Sequence, residues 1–305
     1  MHSFKIVKGW KIVYNISNTN LRIHTNITNV CKTIIRYISM YSYDISITFM
    51  GKIIAIVNQK GGVGKTTTAV NLGAYLAHLG KHVLLVDVDP QGNATSGIGI
   101  EPKSLEHGLY EALTEQKTIF EIIKKTKQEK YHVAPSTPSL AGAGVEMVNL
   151  ENREFRLSNL LNLVRNEYDY LLIDAPPSLG LLTINSLVAA DEILIPVQSE
   201  YYALEGLGQL LETISLVQNN LKPSLGIMGA VITMFDARNK LSASVMAELY
   251  QYFPNRVFRS VIPRSVRLAE APSYGRSILH YDKNSKGGRA YEKLAREIID
   301  LEKIV

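Results

Sequence analysis

Asn58-Gln59-Lys60-Gly61-Gly62-Val63-Gly64-Lys65-Thr66-Thr67 follows directly on the apolar run Lys52–Val57 (KIIAIV) and opens a helical pattern that lasts to Leu79 and stops at Gly80. So short an apolar run suits a strand buried on both faces of a parallel sheet. Glycines in the turn let successive backbone N–H groups converge on an anion, and the start of the helix adds the positive end of its dipole. Lys65 is placed to reach β- and γ-phosphates, and the Thr66 hydroxyl to hold Mg²⁺. A glycine-rich turn alone is an ordinary tight turn. Gly-Lys-Thr at a strand-to-helix junction is a phosphate loop, and Lys60, Gly61, Gly62, Val63, Gly64, Lys65, Thr66 and Thr67 form the candidate cradle for ATP.

The loop departs from the usual G-x-x-x-x-G-K-[ST] pattern, because Gln59 stands where the first glycine is expected. Beside it stands a second lysine, Lys60. By spacing alone Lys60 is either a solvated loop charge or a cation that neutralises phosphate charge during transfer.

Outward from the loop, strands and helices alternate. Val83–Val86 (VLLV) reads as a second buried strand running into Asp87, and Tyr170–Ile173 (YLLI) as another running into Asp174. Tyr131–Ala134, Ile193–Val197, Ile227–Thr233 and Val257–Ile262 complete the strands. Two short helices within 105–127 and helices over Glu151–Arg165, Leu204–Val217, Leu241–Tyr250 and Ala290–Ile304 lie between or after them, with Gly287 and Gly288 ahead of the last. The pattern predicts an α/β domain, a mostly parallel twisted sheet with helices on both faces. Ligands of such sheets sit at the carboxyl ends of the strands, where Asp87, Asp89 and Asp174 fall.

The chain has 305 residues, 46% hydrophobic and 20% charged, an ordinary globular composition. One cysteine, Cys31, excludes an intramolecular disulfide and a cysteine-built metal cluster. No apolar run is long enough to span a bilayer. The net charge of +5 is placed unevenly: residues 1–49 hold Lys5, Lys8, Lys11, Arg22, Lys32 and Arg36 against Asp44 alone, and the remainder is balanced. Those 49 residues also contain no Ala or Pro and a single Gly, with the sole Trp and Cys. They read either as a basic targeting or membrane-surface arm or, the reading favoured by their composition, as an atypical extension outside the folded domain that lies upstream of the true start at Met50; they do not read as a secretory signal. The domain is expected over 50–305.

NQKGGVGKTT resembles the deviant Walker A loop of the ParA/Soj chromosome- and plasmid-partition ATPases, in the wider group that includes MinD. Leu84–Thr95 (LLVDVDPQGNAT) resembles their switch I, and Leu171–Asn185 (LLIDAPPSLGLLTIN) their Walker B and switch II. Pro196–Leu207 (PVQSEYYALEGL) and Val261–Gly275 (VIPRSVRLAEAPSYG) resemble later Soj segments. The resemblance runs from Met50 to about residue 300.

It implies a P-loop ATPase that forms a homodimer on ATP. Lys60 then matches the signature lysine that crosses to the partner's nucleotide, with Gly61 and Gly62 kept small for the approaching loop. Lys65 serves its own phosphates. Asp89 matches the carboxylate that orients the attacking water, while Thr66, Asp87 and Asp174 hold Mg²⁺ directly or through its water. Pro263 lies in the loop that closes over adenine. Arg238, Lys240, Arg264, Arg267, Arg276 and Arg289 recur with few acids nearby in sequence, and Arg238 and Arg267 match arginines that bind DNA non-specifically. The resemblance further implies a ParB-like partner that stimulates hydrolysis, and a cytoplasmic, nucleoid-associated protein.

The alternative is a MinD-like cell-division ATPase that works on a membrane. Its mark would be a terminal amphipathic helix, and Leu294, Ile298, Leu301 and Ile304 do make an apolar face. That helix lacks the basic tail and bulky aromatics of a membrane-surface helix, so no stable membrane anchor is expected. A nitrogenase-iron-protein relative needs bridging cysteines, and none follows Met50. A cobyrinate-synthase relative needs a second substrate site, for which the sequence offers no motif.

Overall fold

The strand that feeds the phosphate loop, β1 (Lys52–Ile56), lies inside a seven-stranded sheet. The computed structural model describes residues 50–200, 205–236, 238–254 and 256–302, all within one compact unit. The extension 1–49, expected to stand apart from the folded domain, lies outside the described residues. The other strands are β2 (Val83–Asp87), β3 (Lys124–Lys125), β4 (Tyr131–Ala134), β5 (Tyr170–Asp174), β6 (Glu192–Gln198) and β7 (Gly226–Thr233). Their order is β3-β4-β2-β5-β1-β6-β7, parallel throughout except for β3 at the edge.

The longer helices are α1 (Lys65–His78), α2 (Arg156–Val164), α3 (Leu181–Ala189), α4 (Glu205–Asn220), α5 (Lys240–Tyr252) and α6 (Lys286–Glu302). Successive residues of a strand point to opposite faces, and two cores result. Ile53, Ala55, Leu84, Val86, Leu171 and Ile173 pack with Leu157, Leu161, Leu187, Leu210 and Ile214 of α2, α3 and α4. Ile54, Ile56, Val83, Leu85 and Leu172 pack with Leu72, Leu76, Tyr291, Leu294 and Ile298 of α1 and α6. The chain steps from β1 to β2 on one side and later to β6 on the other, so the carboxyl end of β1 is the topological switch point.

Three expectations are corrected. Val257–Ile262 is not a strand: it meets β7 and the residues just beyond it through isolated bridges at Ala230–Val257 and Phe235–Pro263 and a hydrogen bond from Ile262 N to the Ile232 carbonyl. Between those bridges the outer segment is one residue longer than β7, so no ladder keeps its register. The closing helix begins at Lys286 and contains both glycines. They allow close approach instead of breaking the helix, since a Cβ at Gly287 would lie 2.7 Å from Leu268 and one at Gly288 2.5 Å from the Lys283 carbonyl. The helix expected over Glu151–Arg165 narrows to α2, flanked by 3-10 turns. The antiparallel strand β3 and helix α3 are additions that the apolar pattern did not signal.

The apolar face of α6 is spent on the domain. Leu294 and Ile298 are fully buried against α1 and the sheet, while Leu301 is 42% exposed and Ile304 lies outside the described residues. No helix among the described residues is long and apolar enough to cross a membrane.

Candidate active site

The loop between β1 and α1 is held by one bond within it and by two strands. Lys60 N donates to Asn58 Oδ1 at 3.0 Å, and Asn58 Nδ2 donates to the Pro196 carbonyl at the end of β6 at 2.8 Å. Thr233 Oγ1, at the end of β7, donates to the Val63 carbonyl at 2.7 Å. Gly62 and Gly64 have φ of 73° and 91°, a region that L side chains rarely adopt. A Cβ added at Gly61 would meet nothing within 4 Å, so nothing in the described part of this chain requires a glycine there.

The two lysines occupy different settings. Lys65 is buried, its Nζ donating to the Lys60 carbonyl at 3.1 Å across the loop. Burial pulls its pKa below that of an ordinary lysine, with Asp174 and Asp89 pulling the other way. The Lys60 side chain is 34% exposed and its Nζ stands 4.0 Å from Glu200, which also takes Arg264 at 3.0 Å. A cleft of about 480 Å³ opens beside Lys60, lined also by Gln59, Pro177, Leu179 and Gly206.

Three carboxylates gather at the strand ends. Asp174 is fully buried; its Oδ2 accepts from Thr66 Oγ1 at 2.8 Å, and its Oδ1 is buried with no hydrogen-bond partner among the described residues. Burial first, then repulsion from Asp87, holds its pKa well above the carboxylate range. Asp87, also fully buried, is pushed up to about 6 by burial, against the hydrogen bonds it accepts from Thr95. Asp89 sits in the next turn, with Oδ1 accepting from Gln91 N at 3.0 Å. A hydroxyl, an orphaned buried carboxylate oxygen and a buried lysine at the end of a glycine-rich loop fit a magnesium–nucleotide complex. No group of three His, Cys, Asp or Glu side chains suited to a metal is found among the described residues. Magnesium does not require one, since it keeps several waters and shares its shell with phosphates.

With this geometry in view, the comparisons with known proteins are informative. Residues 51–227 match the family model described as AAA domain. The chain is 56% identical over 249 residues to the sporulation initiation inhibitor protein Soj of Bacillus subtilis, covering 82% of this chain and 98% of that protein. The chain belongs to the Soj/ParA family. The chromosome partitioning protein ParA of Myxococcus xanthus is 52% identical over 250 residues, 82% of this chain and 88% of its own length. Among solved structures, cobyrinic acid a,c-diamide synthase from Mycobacterium smegmatis, holding ADP and magnesium, superposes with a TM-score of 0.75 at 35% identity, over 83% of this chain and 96% of that one.

Beyond the loop, the residues that the Soj/ParA resemblance singles out fall in two places. Pro263 sits at the carboxyl end of β7, bridged to Phe235, two residues beyond the Thr233 that ties down the phosphate loop. Arg238 and Arg267 lie on the surface, and each is paired with a carboxylate close by in sequence. Arg238 is 90% exposed and forks onto Asp236 at 2.7 and 2.9 Å; Arg267 is 57% exposed, 3.2 Å from Glu270 and 3.7 Å from Asp282. The expectation of few nearby acids is thus corrected for Arg238, Arg264 and Arg267. The side chain of Lys240 lies outside the described residues.

Sequence reasoning did not name Asn58, Thr95, Thr233 or Glu200. A threonine closing an apolar strand (VIT before Met234) was the one available signal for Thr233.

Proposed function

We propose that this chain is an ATP-driven dimerising switch for DNA segregation. Mg-ATP joins two copies, the dimer binds double-stranded DNA without sequence preference, and hydrolysis, stimulated by a ParB-like partner, returns it to monomers. The observation that carries the reading is the pair of lysines at opposite ends of one loop. Lys65 is buried, its Nζ bonded to the Lys60 carbonyl. Lys60 is turned outward, beside open space at Gly61. Its 4.0 Å pair with Glu200 is partly exposed, the weak kind that a phosphate readily replaces.

In this reading the backbone of Gly61–Thr67 and Lys65 bind the triphosphate, and Pro263 lies against the base. Thr66 and Asp174 would hold magnesium, with Asp87 close to its water shell; when bound, the metal would supply positive charge to the phosphates. Asp89 orients the attacking water. Lys60 supplies positive charge to the partner's nucleotide, which makes ATP the adhesive between copies. Arg238 and Arg267 meet DNA phosphates, giving salt-sensitive, sequence-independent binding. Such a switch works in the cytoplasm, on the nucleoid. The burial of Leu294 and Ile298 weighs against the membrane alternative, because it leaves α6 without the apolar face a bilayer would take.

The test is Lys60→Ala, with particle mass measured by light scattering in saturating Mg-ATP. The expected result is a monomer with hydrolysis lost. Wild-type pairing and turnover in that variant would overturn the reading.

A further inference from the structure

The loop that carries Asp89 leaves β2 at Asp87 and enters a single helical turn at Asn93–Gly97. Both ends of that excursion return to one carboxylate. Asp87 Oδ1 accepts from Asp89 N at 3.3 Å, and Asp87 Oδ2 accepts from both Thr95 N and Thr95 Oγ1 at 2.7 Å. The Thr95 hydroxyl in turn accepts from Ser136 N at 3.0 Å, just past the end of β4. Asp87, Thr95 and Ser136 are all fully buried. An ionised carboxylate offers about four lone-pair positions, and the three bonds named here fill most of them.

We infer that Thr95 is a positioning residue for Asp89: its hydroxyl, clamped between Asp87 and Ser136, fixes the loop that aims the Asp89 carboxylate. Asp87 thereby serves as a clasp, with at most one lone pair left for a water of the metal's shell. The inference rests on the proposed role of Asp89 and deepens it. Filling space does not explain a threonine here, because valine has the same shape. The hydroxyl is what bridges the ends of two strands, one bond given and one received. Charge-assisted hydrogen bonds of this kind are the strong ones, so their loss falls on the loop they close.

The test compares Thr95→Val, which keeps the shape and removes the hydroxyl, with Thr95→Ser, which keeps the hydroxyl. Three quantities are read: kcat for ATP, affinity for Mg-ATP, and hydrogen exchange of backbone amides over residues 88–96. In Thr95→Val, kcat falls by about ten-fold or more, as expected for losing a hydrogen bond to a charged group. Mg-ATP affinity stays within about two-fold, because the hydrogen bonds of the Thr95 hydroxyl go to Asp87 and Ser136 and none among the described residues goes to the phosphate loop, and the 88–96 amides exchange faster by a similar factor to the loss in kcat. Thr95→Ser behaves as wild type.

Unchanged kcat and exchange in Thr95→Val would overturn the inference. So would equal losses of kcat and affinity that serine does not restore. Should Thr95→Val fail to fold, Thr95→Ala is measured in its place; failure of both, with Thr95→Ser intact, assigns Thr95 to holding the fold together and rejects the positioning role. A wild-type protein that hydrolysed no ATP would instead sink the proposed function, and amide exchange over 88–96 would still decide whether the clasp exists.

Discussion

Asp87 and Asp174 are register partners at the ends of the adjacent parallel strands β2 and β5, both fully buried. Two carboxylates side by side without water repel each other and lose solvation, and both are held above their ordinary titration range. Lys65 offsets this only in part, since Asp174 stays well above the carboxylate range, so the arrangement costs stability until a further cation is bound. Asp174→Asn removes one charge and keeps an oxygen for the Thr66 hydroxyl. The expected outcome, without nucleotide or magnesium, is a melting temperature higher by about 2–4 °C, the shift roughly 1 kcal/mol produces in a domain of this size. Magnesium-dependent ATP turnover is lost in the same variant. A lower melting temperature would show that the pair is not a source of strain.

Asp89→Ala separates assembly from chemistry. The loop lysines and Thr66 remain, so Mg-ATP still pairs two copies and the pair stays on DNA. Hydrolysis drops by at least about 100-fold, the usual scale for removing a group that handles the reacting water. Gel filtration with a labelled DNA fragment, beside phosphate release, checks both. Dissociation from DNA at the wild-type rate would remove Asp89 from the chemistry.

The ion pairs of Arg238 and Arg267 lie at the surface, where such pairs hold weakly and exchange partners readily. Arg267→Ala is therefore expected to weaken DNA binding in Mg-ATP and lower the slope of log affinity against log salt by about 1, leaving dimerisation intact. Arg238→Ala behaves likewise. Binding to duplex measured across a salt series is the check, and an unaltered slope for both variants would move the DNA face elsewhere.

His132 links β4 to Tyr168, with Nδ1 2.9 Å from the tyrosine oxygen. Burial first, then the charges of Lys125 and His82, lower its pKa in the folded protein. A depressed folded pKa means that its contribution to stability is fully present above the unfolded value, about 6.5, and is lost as pH falls through the lower folded value. His132→Gln is expected to be less stable than wild type at pH 7.5, with a gap that narrows on acidification to pH 5. Urea midpoints at the two pH values test it, and a constant gap would exclude histidine titration as the cause.

The parts legible in the sequence were those written in contiguous residues. Gly61–Thr67 shows by its spacing a loop between a strand and a helix, and Asp87 and Asp174 announce their place at the strand ends by closing apolar runs. The residues that escaped act across long separations: Thr233 holds Val63 from 170 positions away, and Thr95 meets Ser136 from 41. Their side chains are common at turns and helix starts, so nothing local distinguishes them. The Val257–Ile262 segment misled because its composition is that of a strand, while its pairing is decided by one extra residue between two bridges. Gly287 and Gly288 misled in the opposite sense, since a close neighbour, invisible in sequence, favours glycine inside a helix.

Helix α1, which begins at Lys65, receives its outer cover from α6, where Tyr291 meets Thr68 hydroxyl to hydroxyl at 3.2 Å. Those partners are translated 223 residues apart. A chain still on the ribosome therefore displays its phosphate loop long before the helix behind that loop is braced.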